Sequence, residues 1–188
     1  MGRLLLTIGD MTKQKSLDAI VTITDSSLIN GGGINEAINE VAGPKLKEEC
    51  LSLNGCEPGQ AKITRAYDLP NKYVIHTVGP VWNGGQDGES EVLASCYYEC
   101  FELAKRKGIK SIAIPSFSTG LYQYPTDKEA EIAFTTLQEF VNENGSYFDL
   151  ISWVFSDEKI CSVYSSALHK IVDEAKRSRE EVWNNLMV

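Results

Sequence analysis

The sequence predicts a three-layer α/β/α domain, with helices on both faces of a central mixed, largely parallel sheet of about six strands. Three observations predict it. Short apolar runs recur along the chain, amphipathic stripes of helical spacing separate them, and two central runs are continuously apolar, as burial on both faces demands. At 188 residues, 43% of them hydrophobic and 23% charged, the chain suits one domain with a full core. The domain is expected over residues 1–177, with a mostly polar C-terminal tail over 178–188 that reads as a frayed extension of the last helix, or else as a loose end or a short docked helix.

The runs bounded by polar turns predict strands at Leu4 to Ile8, Ala19 to Thr24, Ala61 to Ala66, Tyr73 to Val78, Ser111 to Ile114 and Leu150 to Phe155. Between them, Ile34, Ala37, Ile38 and Val41 read as one helical stripe. Val92, Leu93, Cys96, Tyr97, Cys100, Phe101 and Ala104 read as a second, stopped by Gly108. Ala133, Phe134, Leu137, Phe140 and Val141 make a third, ending near Asn144-Gly145. The clearest stripe runs from Ile160 through Tyr164, Leu168 and Ile171 to Ala175.

Eighteen Lys and Arg against 26 Asp and Glu leave a net charge of -8, which repels a nucleic-acid backbone. Five cysteines without a C-x-x-C pair, and no apolar signal segment at the start, point to a reducing, cytoplasmic or nucleocytoplasmic setting. Cys96 and Cys100, with only His76 and His169 elsewhere, lack the ligand spacing of a metal site. No metal, cofactor, nucleic-acid or membrane partner is expected, and a monomer is.

In open α/β sheets, ligands bind beyond the carboxyl ends of the strands, so the segments just after them carry the site. After the first strand, Asp10 of Gly9-Asp10-Met11-Thr12 either accepts from an exocyclic amine or caps the next turn. After the second comes Asp25-Ser26-Ser27-Leu28-Ile29-Asn30-Gly31-Gly32-Gly33, and then a helix. Three glycines there expose backbone N–H groups at a helix N-terminus, an anion cradle, or else form a flexible surface loop. The fifth strand leads through Pro115-Ser116-Phe117-Ser118-Thr119-Gly120-Leu121-Tyr122-Gln123-Tyr124-Pro125 into another helix, a second anion-compatible loop whose tyrosines suit the wall of a sugar pocket. Two such loops on one sheet edge point to a diphosphate. Neither carries the lysine of a nucleotide hydrolase or the G-x-G-x-x-G of dinucleotide oxidoreductases. Phe155, ending the last strand, either stacks on a base or packs in the core.

These segments, together with Leu17-Asp18-Ala19-Ile20-Val21, Ala42-Gly43-Pro44 and Val74-Ile75-His76-Thr77-Val78-Gly79-Pro80, resemble the macrodomains along nearly the whole chain. The similarity is to the MacroD-type branch, which includes ADP-ribosyl-hydrolases and O-acetyl-ADP-ribose deacetylases. The resemblance implies that Asp10 and Met11 meet the adenine end and that Gly31, Gly32, Gly33 and Ile34 line the diphosphate and distal ribose. It further implies that Ser118, Thr119, Gly120, Leu121 and Tyr122 wrap the phosphates from the other side, with Phe155 beside the adenine. His76 is read as structural.

Active members of the branch usually carry Asn-Ala-Ala-Asn after the second strand and Gly-Gly-Gly-Gly-Val-Asp in the glycine loop. Here they read Thr22-Ile23-Thr24-Asp25 and Asn30-Gly31-Gly32-Gly33-Ile34-Asn35, and a helix residue that is usually His is Asn39. Amide and carboxylate have changed places. Asp25 and Asn35 are therefore the candidate catalytic pair with reversed roles, since a carboxylate takes or orients a proton as an amide does not. The implied activity is hydrolysis of ADP-ribosyl esters, on ADP-ribosylated protein or O-acetyl-ADP-ribose. The alternative is an ADP-ribose reader without turnover, and the third reading is a pocket for another nucleotide or for structural contacts alone.

Overall fold

The computed structural model describes residues 2–118 and 122–186. Six strands, β1 (Arg3–Ile8), β2 (Ala19–Thr24), β3 (Ala61–Arg65), β4 (Tyr73–Val78), β5 (Ser111–Pro115) and β6 (Leu150–Phe155), form one sheet in the order β1-β6-β5-β2-β4-β3. All neighbours are parallel except β3, which runs antiparallel to β4 at the edge. The expected sheet is there, each strand within one residue of its predicted bounds.

Five helices cover it: α1 (Gly33–Ala42), α2 (Pro44–Ser52), α3 (Glu89–Arg106), α4 (Thr126–Asn144) and α5 (Glu158–Leu186). Period-two alternation sorts the strand side chains between two apolar clusters. Ala19, Val21 and Ile23 of β2 join Ile151, Trp153 and Phe155 of β6 in the larger cluster, against α3, α4 and α5. Ile20, Val74 and Val154 point the other way, with Ile38, Leu46 and Cys50 of α1 and α2. Helix α2 escaped the sequence reading because its buried face is thin, only Leu46 and Cys50. Its start is fixed by Gly43, held at φ +82°, and Pro44 at the first helical position.

The helix ends follow the expected chemistry. Gly145 closes α4 at φ +67°, its N–H donating to the Val141 carbonyl at 2.8 Å, and Gly108 turns after α3 at φ +71°. Helix α5 passes residue 177 without a break and runs to Leu186. No helix among the described residues is long and apolar enough to cross a membrane.

Two features of the topology place the site. Strand β2 leads to α1 on one face of the sheet, whereas its neighbour β5 leads to α4 on the other, so the loops after them diverge at a switch point. In addition, β2 pairs with β4 along all six of its residues but with β5 only at Ala19↔Ile112 and Ile20↔Ala113. The carboxyl halves of β2 and β5 thus part, and the seam opens between their two loops.

Candidate functional site

The loop after β2 is organised by Asp25. Its Oδ1 accepts from Ser27 N–H (3.1 Å), Ser27 Oγ–H (2.5 Å) and Asn30 N–H (3.4 Å), and among the described residues its Oδ2 accepts only from Asn30 Nδ2 (3.0 Å). Asp25 N–H in turn donates to the Asn30 carbonyl at 2.6 Å, closing the loop. Partial burial works to raise the carboxyl's pKa, but the bonds from Ser27 and Asn30 outweigh it and hold Asp25 below the usual carboxylate range. Asp25 is therefore ionised near neutral pH, with spare acceptor capacity on Oδ2. It is better suited to orient a water than to remove a proton.

The three glycines that follow differ in what they do. A Cβ at Gly31 would stand 2.2 Å from the Ile23 carbonyl oxygen and 2.7 Å from Asn35 Cβ, so backbone packing alone demands glycine. Gly32 sits at φ +80°, a left-handed conformation that favours glycine. Gly33 is required by neither: a Cβ there meets nothing within 4 Å among the described residues. It opens α1, whose N-terminus has no side-chain cap, and the helix's first inward bond is Glu36 N–H to the Gly32 carbonyl at 2.9 Å. An uncapped N-terminus with a bare backbone is a site for negative charge.

Asn35, in the first turn of α1, is 1% exposed. Its Oδ1 and its backbone carbonyl accept from Asn39 Nδ2 (3.2 and 2.8 Å), and its own Nδ2 lies 3.5 Å from Thr22 Oγ1. Asn30, Asn35 and Asn39 line one wall of a cleft of about 450 Å³ between α1 and the start of α2. The two candidate catalytic residues thus stand on the same loop-and-helix unit, each already bonded within it.

On the opposite side of the seam, Ser118 Oγ lies 2.6 Å from Ser116 Oγ, and Ser118 N–H donates to the same oxygen at 3.2 Å. Thr119, Gly120 and Leu121 lie outside the described residues. Tyr122 is next to the Asp25 loop: burial first, then the Asp25 charge, pushes its phenol up to about 12. Its backbone carbonyl accepts from Trp82 N–H at 3.0 Å, which ties the β5 loop to the one after β4.

Four side chains expected near the ligand are buried. Tyr122 and Tyr124 are 4% and 3% exposed, and Tyr124 packs edge-on to Trp82 at 4.8 Å, so neither offers an open ring to a sugar. Phe155 is 2% exposed because β6 alternation turns it, like Ile151 and Trp153, toward α5, where its ring meets Tyr164 at 4.7 Å. Its carbonyl oxygen still accepts from Gly9 N–H at 2.8 Å, and so it stands beside the Asp10 turn by its backbone rather than its ring. Met11 is likewise buried in the smaller cluster.

Asp10 does what a cap does, its Oδ1 accepting from Thr12 N–H (2.8 Å) and Thr12 Oγ–H (2.7 Å). The Thr12 hydroxyl, followed by its N–H, lowers the carboxyl's pKa; Oδ2 faces outward, 3.4 Å from Lys13 Nζ. His76 is structural, as expected. It is fully buried, with Nε2 2.8 Å from Thr64 Oγ1, and burial pushes its pKa down to about 4.

One residue of the neighbourhood was missed. Glu129, in the first turn of α4, is fully buried directly beneath the β5 loop, where its carboxylate accepts from Ser116 Oγ–H at 2.9 Å and from Phe117 N–H. The signal was present: a carboxylate one residue before Ala130, on the line of the apolar stripe that continues through Ala133 and Leu137.

The assembled residues set an uncapped glycine step on one side of the parted β2–β5 seam and the Ser116–Ser118 turn on the other. The Macro domain family model matches residues 21–133. An uncharacterised protein of Fusobacterium nucleatum is 50% identical over 165 residues, covering 88% of this chain and 94% of the relative. The human ADP-ribose glycohydrolase MACROD2 is 41% identical over 177 residues, 93% of this chain and 41% of that protein. Among solved structures, the Oceanobacillus iheyensis macrodomain with ADP superposes with a TM-score of 0.81 at 37% identity, covering 89% of this chain and 90% of the other. The chain belongs to the macro domain family, on the MacroD-type side that its motifs resemble.

Proposed function

We propose that this domain binds ADP-ribose across the seam between β2 and β5 and hydrolyses ADP-ribosyl esters, on mono-ADP-ribosylated protein or O-acetyl-ADP-ribose. The observation that carries the reading is Gly33: a glycine that no contact among the described residues requires, at an uncapped helix N-terminus, leaves the backbone open to close approach by a diphosphate. The MacroD-type relatives and the ADP-bound neighbour support the same ligand class. In this reading, the outward Oδ2 of Asp10 accepts from the adenine amine. Gly31 to Ile34 hold the diphosphate and distal ribose from the β2 side, and Ser118 to Tyr122 close over it from the β5 side. The free acceptor position on Asp25 Oδ2 orients the attacking water, and the ligand's own phosphate helps to activate it. Five free thiols accord with a reducing, cytoplasmic or nucleocytoplasmic setting, and we take the domain to act as a monomer.

A reader without turnover is the second reading, favoured by one observation: the position usual for the activating aspartate holds Asn35, an amide 1% exposed and engaged with Asn39. Calorimetry with ADP-ribose tests binding; absence of heat at millimolar ligand removes both readings. Release of ADP-ribose from a glutamate-linked, ADP-ribosylated protein then separates them. The hydrolase reading expects turnover by the wild type and its loss in Asp25→Ala with binding kept. An inert wild type that binds establishes the reader.

A further inference from the structure

Glu129 is a buried carboxylate without a cation. Its Oε2 accepts from Ser116 Oγ–H at 2.9 Å, and its Oε1 from Phe117 N–H and from Tyr97 Oη–H at 2.9 Å. Tyr164 Oη adjoins, 3.4 Å from Tyr97 Oη. Among the described residues no Lys, Arg or His pairs with Glu129, so only neutral donors offset its charge. The series of contacts does not stop there. Ser116 Oγ lies 2.6 Å from Ser118 Oγ and accepts Ser118 N–H at 3.2 Å, which links a buried acid in two steps to the lip of the crevice.

A hydroxyl has one proton to give. While Glu129 is ionised, the Ser116 proton is committed to it, and both donors of Ser118, its hydroxyl and its N–H, point inward at Ser116 Oγ. Ser118 then shows lone pairs to the crevice, the wrong polarity for an anion. With a proton on Glu129 the order reverses: the carboxyl donates to Ser116, Ser116 turns to Ser118 Oγ, and the Ser118 hydroxyl is released to donate outward. Removing the buried charge lowers the repulsion on the same anion.

We propose that Glu129 positions Ser118 for an anion and takes up one proton, relayed through Ser116, as the diphosphate seats. The inference rests on the ADP-ribose reading. In the exchange, the Ser116 hydroxyl proton passes to Glu129, the Ser118 hydroxyl proton passes to Ser116, and a proton from solvent replaces it on Ser118; each serine loses one O–H bond and regains one, and the complex gains one positive charge.

The groups facing Glu129 leave the coupling legible. Tyr97 from α3 and Tyr164 from α5 have phenols raised well above their usual range by burial, and Tyr124 of the β5 loop is raised as well. Burial pushes the Glu129 carboxyl up, against the adjoining Tyr164 hydroxyl and the bonds from Phe117, Ser116 and Tyr97. Asp10 and Asp25, the carboxylates proposed to meet the ligand, are held low and stay ionised.

The test is calorimetry of ADP-ribose binding from about pH 5.5 to 8, in pairs of buffers with different ionisation heats. A single coupled proton tightens Kd by at most about tenfold per pH unit lost. The wild type is expected to bind at least about threefold tighter at the acid end, with net proton uptake. In Glu129→Gln, the amide donates to Ser116 at every pH. This variant is expected to match or exceed the wild type's acid-end affinity, with no slope and no uptake. Should melting show that variant unfolded, Ser116→Ala cuts the relay with Glu129 in place, and its uptake is expected to vanish. A wild type that binds without uptake overturns the inference, as does a folded Glu129→Gln that keeps the slope. A wild type that gives no heat removes the ADP-ribose reading, and this inference with it.

Discussion

Substituting alanine at each of Gly31, Gly32 and Gly33 separates what the fold needs from what the ligand needs. At Gly33 the new methyl meets nothing within 4 Å among the described residues, and the backbone is not left-handed, so none of these residues sets a cost on the native state. The unfolded protein loses freedom, which stabilises the fold by about 0.4–1 kcal/mol. For a protein of this size that is a rise in Tm of roughly 1–4 °C. The same methyl stands where a phosphate would approach the N–H groups of α1, and losing one charge-assisted hydrogen bond costs about 1.5–3 kcal/mol. Affinity for ADP-ribose is then expected to fall by roughly ten- to a hundredfold. Gly31→Ala drives a Cβ to 2.2 Å from the Ile23 carbonyl oxygen and is expected to destabilise the fold by about 1–3 kcal/mol or more. Gly32→Ala at φ +80° costs roughly 1–2 kcal/mol. Thermal melting and calorimetry read the two effects on the same samples. A Gly33→Ala protein that binds as the wild type does, or that melts lower, refutes the argument.

Acid should expose His76. Its folded pKa of about 4 lies below the unfolded value near 6.5, so the unfolded state binds the extra proton between them. Stability is level above about pH 6.5 from this group and falls by about 3 kcal/mol as pH drops to about 4. Glu129, raised by burial, works in the opposite direction, so urea melts of His76→Gln against the wild type are needed to isolate the histidine; parallel pH dependences would disprove the assignment. Asn35→Asp is expected to fold, because Asn39 Nδ2 and a rotated Thr22 hydroxyl both donate to the new carboxylate at the N-terminus of α1. It places a base beside the proposed distal ribose, and release of ADP-ribose is expected to rise on the order of a hundredfold. An unchanged rate would mean that water activation owes nothing to this position.

The strands were legible because a sheet covered on both faces leaves continuous apolar runs, and β2 and β4 have little else. Helix α2 was not, since two buried residues in nine make no stripe. The glycine step was readable as a group, but its division of labour was not: packing at Gly31, φ at Gly32 and open space at Gly33 are properties of three dimensions. The burial of Phe155 and the two tyrosines was hidden for a different reason. Their positions at strand ends and loops were right, yet whether a ring faces core or crevice turns on strand parity and loop packing, which a residue's identity does not reveal. Asp25 and Asn35 were found through their departure from a familiar pattern. That Asp25 is laced to Ser27 and Asn30, and that Asn35 is buried, depended on neighbours no spacing rule identifies.

The short ladder between β2 and β5 has a mechanical meaning. A sheet is ordinarily firmest along its central strands and frays at its margins, but this one is unlaced at the middle of its upper edge. Both apolar clusters continue across that line, so side-chain packing rather than a backbone ladder holds the two sides together there. A molecule gripped by both lips would act as the missing rung, so that occupancy stiffens the architecture as a whole and not merely the loops it touches.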